Sequence, residues 1–431
     1  MPSLSTTMPL IGLDIGKNVH VYGTYRTEDL APLGAPVKIH NNRAGFTQFA
    51  AHVDTLLAQY AVVKVANEPT GIYYEAFGRQ VLTHFADPLA AGRLVYHLVN
   101  PYLVKEARIA LQRGRRRKTD AIDTQAIARC LQQGTVMPAR FPDGHILLFQ
   151  QWARRFRRNQ IDMRQLRNQI ILQMDRLWPG ALVNVQRFKH LHPDLAPPAP
   201  LVETRPLERK LVQAILTHCP NPYDALQLTV DEMVDLLRAS IGRAGVTTAR
   251  QVLRNVRQAL LPPENIAAVL ATALAQDWQR FQTYLALEAQ LEAEACRLVP
   301  ASPAAVLVTV PGMSPYHAAR YLAGIGEVER FASADHIWAF AGFDPLLVQS
   351  GDTRRLGQIS KRGDPAFRDT LYRIGHSLSR HCPPVTAAFQ RAFRGHPHRR
   401  VLATLHAAHK ANRLLYHLLL HQEPYDPAHH R

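Results

Sequence analysis

Residues Arg113–Gly134 read RGRRRKTDAIDTQAIARCLQQG. A dense cationic run stops at two aspartates, Asp120 and Asp123. These begin a segment with helical apolar spacing: Ile122, Ala126, Ile127, Cys130 and Leu131. On a helix, residues three apart lie on one face, so the two carboxylates point the same way. Carboxylates that share a face can hold a divalent cation through oxygen, and cations beside them can hold a phosphate chain. Together they point to metal-assisted chemistry on nucleic acid. Taken alone, the stretch is better served by an ordinary reading, in which Asp120 caps the helix, Asp123 favours its positive end and the arginines are a solvated surface. The decision rests on whether acids elsewhere join the pair.

Upstream, Leu10-Ile11-Gly12-Leu13 has β character and Asp14 ends it, and Val19, Val21 and Tyr25 continue an alternating pattern after Gly16. This predicts a hairpin whose first strand carries an inward acid. Gly45–Leu57 has amphipathic helical spacing, and Ala61–Ala66 is a buried-strand pattern with Glu68 just past its end, where Pro69-Thr70-Gly71 breaks the chain. Tyr73–Leu82 reads as a helix, and Arg93–Val99 as a strand closed by Asn100-Pro101. Strands alternating with helices indicate an α/β sheet domain. Asp14, Glu68, Asp120 and Asp123 then stand where a central sheet could gather them, and strand ends are where such sheets build sites. Two-metal phosphoryl chemistry needs several carboxylates about one cavity. An acid on each of two strands and an acid-x-x-acid on a helix is the order that a ribonuclease-H-like nuclease fold requires. Singly, Asp14 could be a turn residue and Glu68 a surface acid.

The phrases IGLDIGK, VANEPTGIYYEAF, LVNPYLVKEAR and RKTDAIDTQAIA resemble successive motifs of the insertion sequence 110 family of transposases, the DEDD transposases, which include the Piv-type DNA invertases. The resemblance spans about the first 135 residues. It implies a RuvC-like domain with Asp14, Glu68, Asp120 and Asp123 as catalytic and metal-holding residues, with Mg2+ or Mn2+ as cofactor.

The bulk composition agrees with a polyanionic partner. The 431 residues carry 51 Lys+Arg against 34 Asp+Glu, a formal charge of +17, which favours nucleic acid. The sequence contains no apolar run of about 18 residues, the length that spans a bilayer, so no membrane partner is expected, and MPSLSTTMPLIGLDIGK lacks the features of a signal peptide. Cys130, Cys219, Cys296 and Cys382 are scattered without CxxC pairing, which argues for a reducing compartment and against zinc. The expected location is the bacterial cytoplasm, at the nucleoid.

Organisation is read as three parts: residues 1–145, the catalytic domain; 146–299, a helical and coiled-coil region; and 300–431, a mostly helical C-terminal domain. In the middle, Trp152, Phe156, Met163, Leu166, Ile170 and Leu177 step by threes and fours like a heptad seam, with Asn159 and Gln173 at seam positions. Arg154, Arg155, Arg157 and Arg158 cover other faces. Such a helix could dimerise and track phosphates, or pack on its own domain. His192–Pro206 has a proline-rich linker signature. Accessory helices follow without a motif, and a longer helix after Pro262-Pro263 could return antiparallel to the first seam.

In the C-terminal part, Val306–Ser314 with Gly312, followed by a helix over Tyr316–Gly324, resembles a helix-hairpin-helix, whose turn amides meet a DNA phosphate. Ser350-Gly351 lies among Arg354, Arg355, Lys361, Arg362 and Arg368. Spacing alone favours Ser350 as a turn residue over a nucleophile. The elements AFAGFDP, SG and ISKRGDPAFR, over about residues 300–380, resemble the second domain of the same family. That resemblance implies Ser350 as catalytic nucleophile, a phosphoserine–DNA intermediate, a bridge RNA that pairs with double-stranded target and donor DNA, and assembly as a dimer or tetramer. Arg115, Arg116, Arg117 and Lys118, with the arginines and lysine named above and Gly312, are the expected nucleic-acid contacts. Val385–Leu420 reads as His- and Arg-rich helices for packing and phosphate contact. The function expected is that of an insertion-sequence transposase. Readings held beside it are a site-specific invertase, a metal-dependent junction nuclease using water, and a nucleic-acid-binding protein whose acids are only structural.

Overall fold

The computed structural model describes residues 8–69, 71–112, 119–142, 144–197, 200–350 and 353–429, with backbone only over 345–350 and 353–358. The expected contacts Arg115, Arg116, Arg117 and Lys118 lie outside the described residues. The chain divides into two compact units, Met1–Pro142 and Asp143–Arg431.

The first unit is a mixed six-stranded sheet in the order β3-β2-β1-β4-β5-β6. Its strands are β1 (Leu10–Ile15), β2 (Val19–Tyr25), β3 (Val37–His40), β4 (Val63–Asn67), β5 (Leu94–Leu98) and β6 (Met137–Pro138). The central strands β1, β4 and β5 are parallel; β2, β3 and β6 run antiparallel to their neighbours. The helices are α1 (Arg43–Gln59), α2 (Tyr73–His84), α3 (Ala86–Ala90), α4 (Pro101–Leu111) and α5 (Asp120–Gln132). Side chains alternate along a strand. Ile11, Leu13 and Ile15 of β1 therefore enter a core with Phe49 and Val53 of α1 and Phe77 and Val81 of α2. Leu10 faces the other way, into a core with Val104 of α4 and Ala126, Ile127, Cys130 and Leu131 of α5.

Gly12 sits between Leu10 and Asp14 on this second face. The backbone of α5 comes so close that a Cβ on Gly12 would lie 1.9 Å from the Thr124 carbonyl oxygen and 3.2 Å from the Ala128 nitrogen. Beside it, Gly23 of β2 pairs with Gly12 and leaves room for the Tyr25 ring, whose phenol meets Thr124 Oγ1 at 2.8 Å and donates to the Ala121 carbonyl at 3.2 Å. Thr119 caps the helix, its hydroxyl accepting from the Ile122 amide at 3.4 Å. The cap is therefore Thr119, not Asp120, which is the first helical residue.

The second unit is mostly helical. Its long members are α6 (Gly144–Leu177) and α12 (Glu264–Leu298). Between them lie α7 (Val185–Leu191), α8 (Lys210–His218), α9 (Pro222–Gln227), α10 (Val230–Ile241) and α11 (Val246–Gln258). After them come α13 (Pro315–Ile325), α14 (Ala334–Phe340), a hairpin of β7 (Pro345–Ser350) and β8 (Thr353–Ile359), then α15 (Pro365–Leu378), α16 (Pro383–Phe393) and α17 (Arg400–His421). The seam of α6 packs on α12 of the same chain. Asn159 donates to the Tyr284 carbonyl at 3.1 Å, and Gln169 and Gln173 donate to Asp277 at 2.7 and 3.0 Å. Of the two uses weighed for that seam, the structure has the one internal to the chain. The unit holds two cores: Met163–Phe281 forms an accessory core, while Phe149, Trp152 and Phe156 join Leu291–Leu419 in the other. The proline-rich stretch is not a free spacer, because Leu201 is buried and its amide bonds the Ala181 carbonyl at 2.9 Å.

Replacing Gly12 by Ala drives a methyl into the backbone of α5. Overpacking of this kind costs about 1–3 kcal/mol, so Gly12→Ala is expected to lower the melting temperature of the first unit in circular dichroism. An unchanged transition would show that α5 is free to ride away from β1.

Candidate active site

Of the four candidate acids, Asp14 lies on the face of the sheet covered by α5, Asp120 and Asp123 stand on α5 itself, and Glu68 follows the last residue of β4. Asp14 is directly opposite Val21 of β2, and Val21 opposite Lys38 of β3. Cross-strand partners point to the same face, so Asp14, Val21 and Lys38 form a row on the side covered by α5. Asp120 stands over that row, with its Oδ2 2.8 Å from Lys38 Nζ. The parallel ladder of β1 and β4 pairs Gly12 with Ala66 and ends at Leu13 with Asn67. One residue further along each strand come Asp14 and Glu68. Asn67, fully buried, accepts from the Tyr96 phenol at 2.5 Å and donates to the Glu68 carbonyl at 3.1 Å, which pins the backbone at that strand end. Burial pushes the Tyr96 phenol up, so it stays a donor.

Asp123, one turn along from Asp120, is only 4% exposed. Arg108 of α4 brings its Nε to 2.5 Å from Asp123 Oδ1. The N–H is not aimed at the oxygen, however, and both atoms are buried without a hydrogen bond. The pair is an ion contact with unspent bonding capacity, and unmet buried polar atoms are costly. Lys38 is the freer partner, its ammonium held above the ordinary value by the hydrogen bond and charge of Asp120.

With two acids drawn to cations in this way, no three Asp, Glu, His or Cys side chains converge closely enough to hold a metal ion among the described residues. The candidate donor set is nonetheless oxygen-only and includes an orphaned buried carboxylate oxygen, Asp123 Oδ1. Those features fit a hard divalent cation such as Mg2+ or Mn2+. Lys38 and Arg108 are residues that sequence reasoning missed. Arg108 ends the quoted phrase LVNPYLVKEAR, but its partner is set by the packing of α4 on α5. Lys38 is a lone cation on a four-residue strand whose register only the fold supplies.

In the second unit, Ser350 is the last residue of β7, paired across the hairpin with Thr353. Gly351 and Asp352 lie outside the described residues. The base of this hairpin explains two of the quoted phrases. Gly342, with φ of 79°, has its Cβ position 2.6 Å from the Gly363 nitrogen, so AFAGFDP and ISKRGDP meet backbone to backbone. Ser360 Oγ donates to Asp344 Oδ1 there, and Arg368 donates to the Ala341 carbonyl at 2.8 Å and the Gly363 carbonyl at 3.5 Å. Arg368 is therefore engaged in holding the hairpin root. Lys361, with φ of 55°, sits in the left-handed region within this root, and Arg362 is exposed. Arg354 and Arg355 lie on β8.

Along α6, Arg155 pairs with Glu294 at 2.8 Å, Arg157 with Asp364 at 3.5 Å and Arg158 with Asp162 at 3.7 Å, while exposed Arg154 lines a cleft. The segment before Gly312 is a 3-10 helix, Pro303–Thr309, rather than an α-helix. Gly312 has φ of 89° and packs where a Cβ would be 2.9 Å from His381 Cβ, so packing alone requires a glycine. No helix among the described residues is long and apolar enough to cross a membrane.

Comparison with known proteins agrees with both regions. A transposase model of the DEDD, IS110 type matches residues 11–179, and one described as "Transposase IS116/IS110/IS902 family" matches residues 304–391. Together they account for more than half of the chain. A "Probable family 20 transposase" of Pseudomonas aeruginosa PAO1 is 32% identical over 123 residues, covering 28% of this chain and 36% of that protein. The matched part thus spans about a third of the curated relative's length. Among solved structures, T. thermophilus RuvC in complex with a Holliday junction substrate aligns at 16% identity with a TM-score of 0.24, over 31% of this chain and 99% of that one.

Removing Arg108 leaves Asp123 buried and uncompensated, which typically costs about 3–5 kcal/mol. Arg108→Gln is expected to lower the melting temperature, and millimolar Mn2+ to recover more of that loss than it adds to the parent protein. Equal effects of Mn2+ on both proteins would remove Asp123 from the ligand set.

Proposed function

The chain belongs to the IS110 family of transposases, and on that footing we propose that it cuts and rejoins double-stranded DNA as the transposase of an insertion sequence. The observation that carries the reading is the acidic side of the first unit, where Asp14 lies on the face of the sheet covered by α5, Asp120 and Asp123 stand on α5, and Glu68 follows Asn67 just past the end of the adjacent parallel strand. The alternation of acids on neighbouring strand ends supports a RuvC-like nuclease fold for this unit. Asp14, Glu68, Asp120 and Asp123 would hold Mg2+ or Mn2+. A divalent ion bound there supplies charge to a scissile phosphate and acidifies an oxygen nucleophile. Lys38 and Arg108 hold two of these carboxylates otherwise, and would exchange that role for contact with phosphate.

Ser350 is the nucleophile in this reading. Its Oγ attacks phosphorus and loses its proton, the deoxyribose oxygen leaves, and the phosphoserine keeps the energy of the phosphodiester for rejoining. The place of Ser350 at the end of a hairpin rooted by Asp344, Ser360 and Arg368 supports this, because loop ends on a fixed scaffold are where reacting side chains are presented. Sequence choice would rest on a bridge RNA that pairs with target and donor DNA, while Arg115–Lys118, Arg154, the Gly312 turn and the cations about the hairpin hold backbones. The formal charge of +17 supports that load. A dimer or tetramer in the bacterial cytoplasm would let acids and serines of different copies meet on one DNA.

Incubation with DNA carrying the element ends, the cognate RNA and Mg2+, followed by denaturation, is expected to leave a covalent protein–DNA adduct. Ser350→Ala is expected to abolish the adduct and lower strand cutting by at least about a thousandfold, and Asp14→Asn to do the same with binding retained. Cutting that persists in Ser350→Ala, with no adduct in the parent protein, would make water the nucleophile and overturn the serine step.

A further inference from the structure

The end of the chain holds a second cation-lined cleft, almost wholly beyond the matched region that stops at residue 391. It lies between α16 and α17 and has a volume of about 500 Å³. Arg391 in the last turn of α16, Arg394 just after it, Arg399, and Lys410 and Arg413 on α17 all line it. Its lining contains no aspartate or glutamate.

The cleft is built by spacing. Leu402, His406, His409 and Arg413 recur at steps of four, three and four, one face of α17. The opposite face, with Ala403, Ala407, Ala411, Leu415 and Leu418, is buried in the core. The packing of α17 is thus complete without the basic stripe. On α16, Ala388 and Ala392 are the small residues that leave the space open. Arg394 adopts φ of 49° as the helix terminator, a conformation usually left to glycine, although Gly395 stands next to it.

A comparison within the same unit separates this cleft from an ordinary charged surface. The cleft of about 600 Å³ between α6, α13 and α15 also carries arginines. There the lining includes Asp364 and Asp369, which answer three of the five arginines: Arg157 by Asp364 at 3.5 Å, and Arg320 and Arg373 by Asp369 at 3.3 and 2.8 Å. In the α16–α17 cleft the lining holds no carboxylate, and Asp335 of α14 meets its edge, 3.0 Å from His409 Nε2. Arg391, Arg394, Arg399 and Arg413 share a lining without carboxylates, and like charges so gathered repel one another unless an anion joins them. Four of the five cations are arginine, whose fork matches phosphate oxygens bidentately.

We propose that the α16–α17 cleft is a grip for consecutive backbone phosphates of a nucleic-acid strand, with Arg391, Arg394, Arg399, Lys410 and Arg413 as its contacts. It rests on the nucleic-acid reading above and adds a binding site to it.

The test uses the full chain in EDTA, so that no cutting intervenes. Affinity for labelled duplex DNA and for labelled single-stranded RNA is measured across a salt series. The cleft triple Arg391→Gln, Arg394→Gln, Arg413→Gln is compared with a charge-matched triple elsewhere, Arg187→Gln, Lys189→Gln, Lys210→Gln. Each phosphate contact contributes about 0.9 to the slope of log K against log salt for duplex DNA, and about 0.7 for single strands. The cleft triple is expected to lose about 2–3 from that slope with at least one polymer, which identifies the polymer held, and the control triple to lose little. Arg413→Gln alone, an exposed position, is expected to lose about one contact and keeps the test valid if the triple fails to fold. Equal slopes for the two triples would overturn the grip while leaving nucleic-acid binding intact. Absence of binding by the parent protein would overturn the nucleic-acid reading as well. Thermal stabilisation of the parent but not the triple by inorganic phosphate, with unchanged slopes, would assign the cleft to a free phosphate and also overturn the grip.

Discussion

The approach of two backbones, Gly12 of β1 against Thr124 of α5, is the constraint on which the first unit depends. A helix normally rides above a sheet on a layer of side chains. Here the strand contributes none at the crossing, and a Cβ would lie 1.9 Å from the Thr124 oxygen. The helix therefore settles onto β1, with Ala126, Ala128 and Cys130 as the small residues that permit it. Tyr25 fastens it from the neighbouring strand through Thr124 and Ala121. The first turn of α5 is thereby laid over the row that contains Asp14, and the spacing of Asp120 and Asp123 acquires chemical meaning.

How much of this was legible in the sequence depended on whether the signal was local. The strands β1, β2, β4 and β5 and the helices α1, α2 and α5 announce themselves by alternation or by three-four spacing, because their buried faces are continuous. The strands β3 and β6 have four and two residues and are too short for a period to show. The helix α4 lay in a phrase read for its resemblance, although Asn100 as cap and Pro101 as first helical residue are the usual start signals. For the candidate site, the four acids stand out by their order beside the basic run and by the family resemblance. The cations that hold two of them do not, because the Lys38–Asp120 and Arg108–Asp123 contacts arise from sheet register and from the packing of α4 on α5.

The second unit places polar residues within its main helical seam. Asn159 and Gln173 interrupt an apolar stripe, and each is answered by α12, through the Tyr284 carbonyl and Asp277. Buried polar pairs of this kind fix register more than they stabilise. The hairpin of β7 and β8 escaped the sequence reading because its cations and glycines resemble a loop. The run PLLVQS before Gly351-Asp352 does carry a β-hairpin signal of Gly-first type. Its root, where Gly342 meets Gly363, is a long-range contact that no local pattern discloses.

The division of α6 and α12 between two cores sets an order of events on the ribosome. Trp152 and Phe156 belong to a core whose next members begin at Leu291, 135 residues later in the chain. At about 5–20 residues per second, these aromatics wait on the order of ten seconds for their partners. During that wait the accessory core, Met163–Phe281, is already complete in sequence. Its folding would clamp the second half of α6 to the first half of α12 and pay much of the loop-closure entropy in advance. The accessory core would thus act during synthesis as a built-in clasp, which aligns two helices before the domain that needs them has been made.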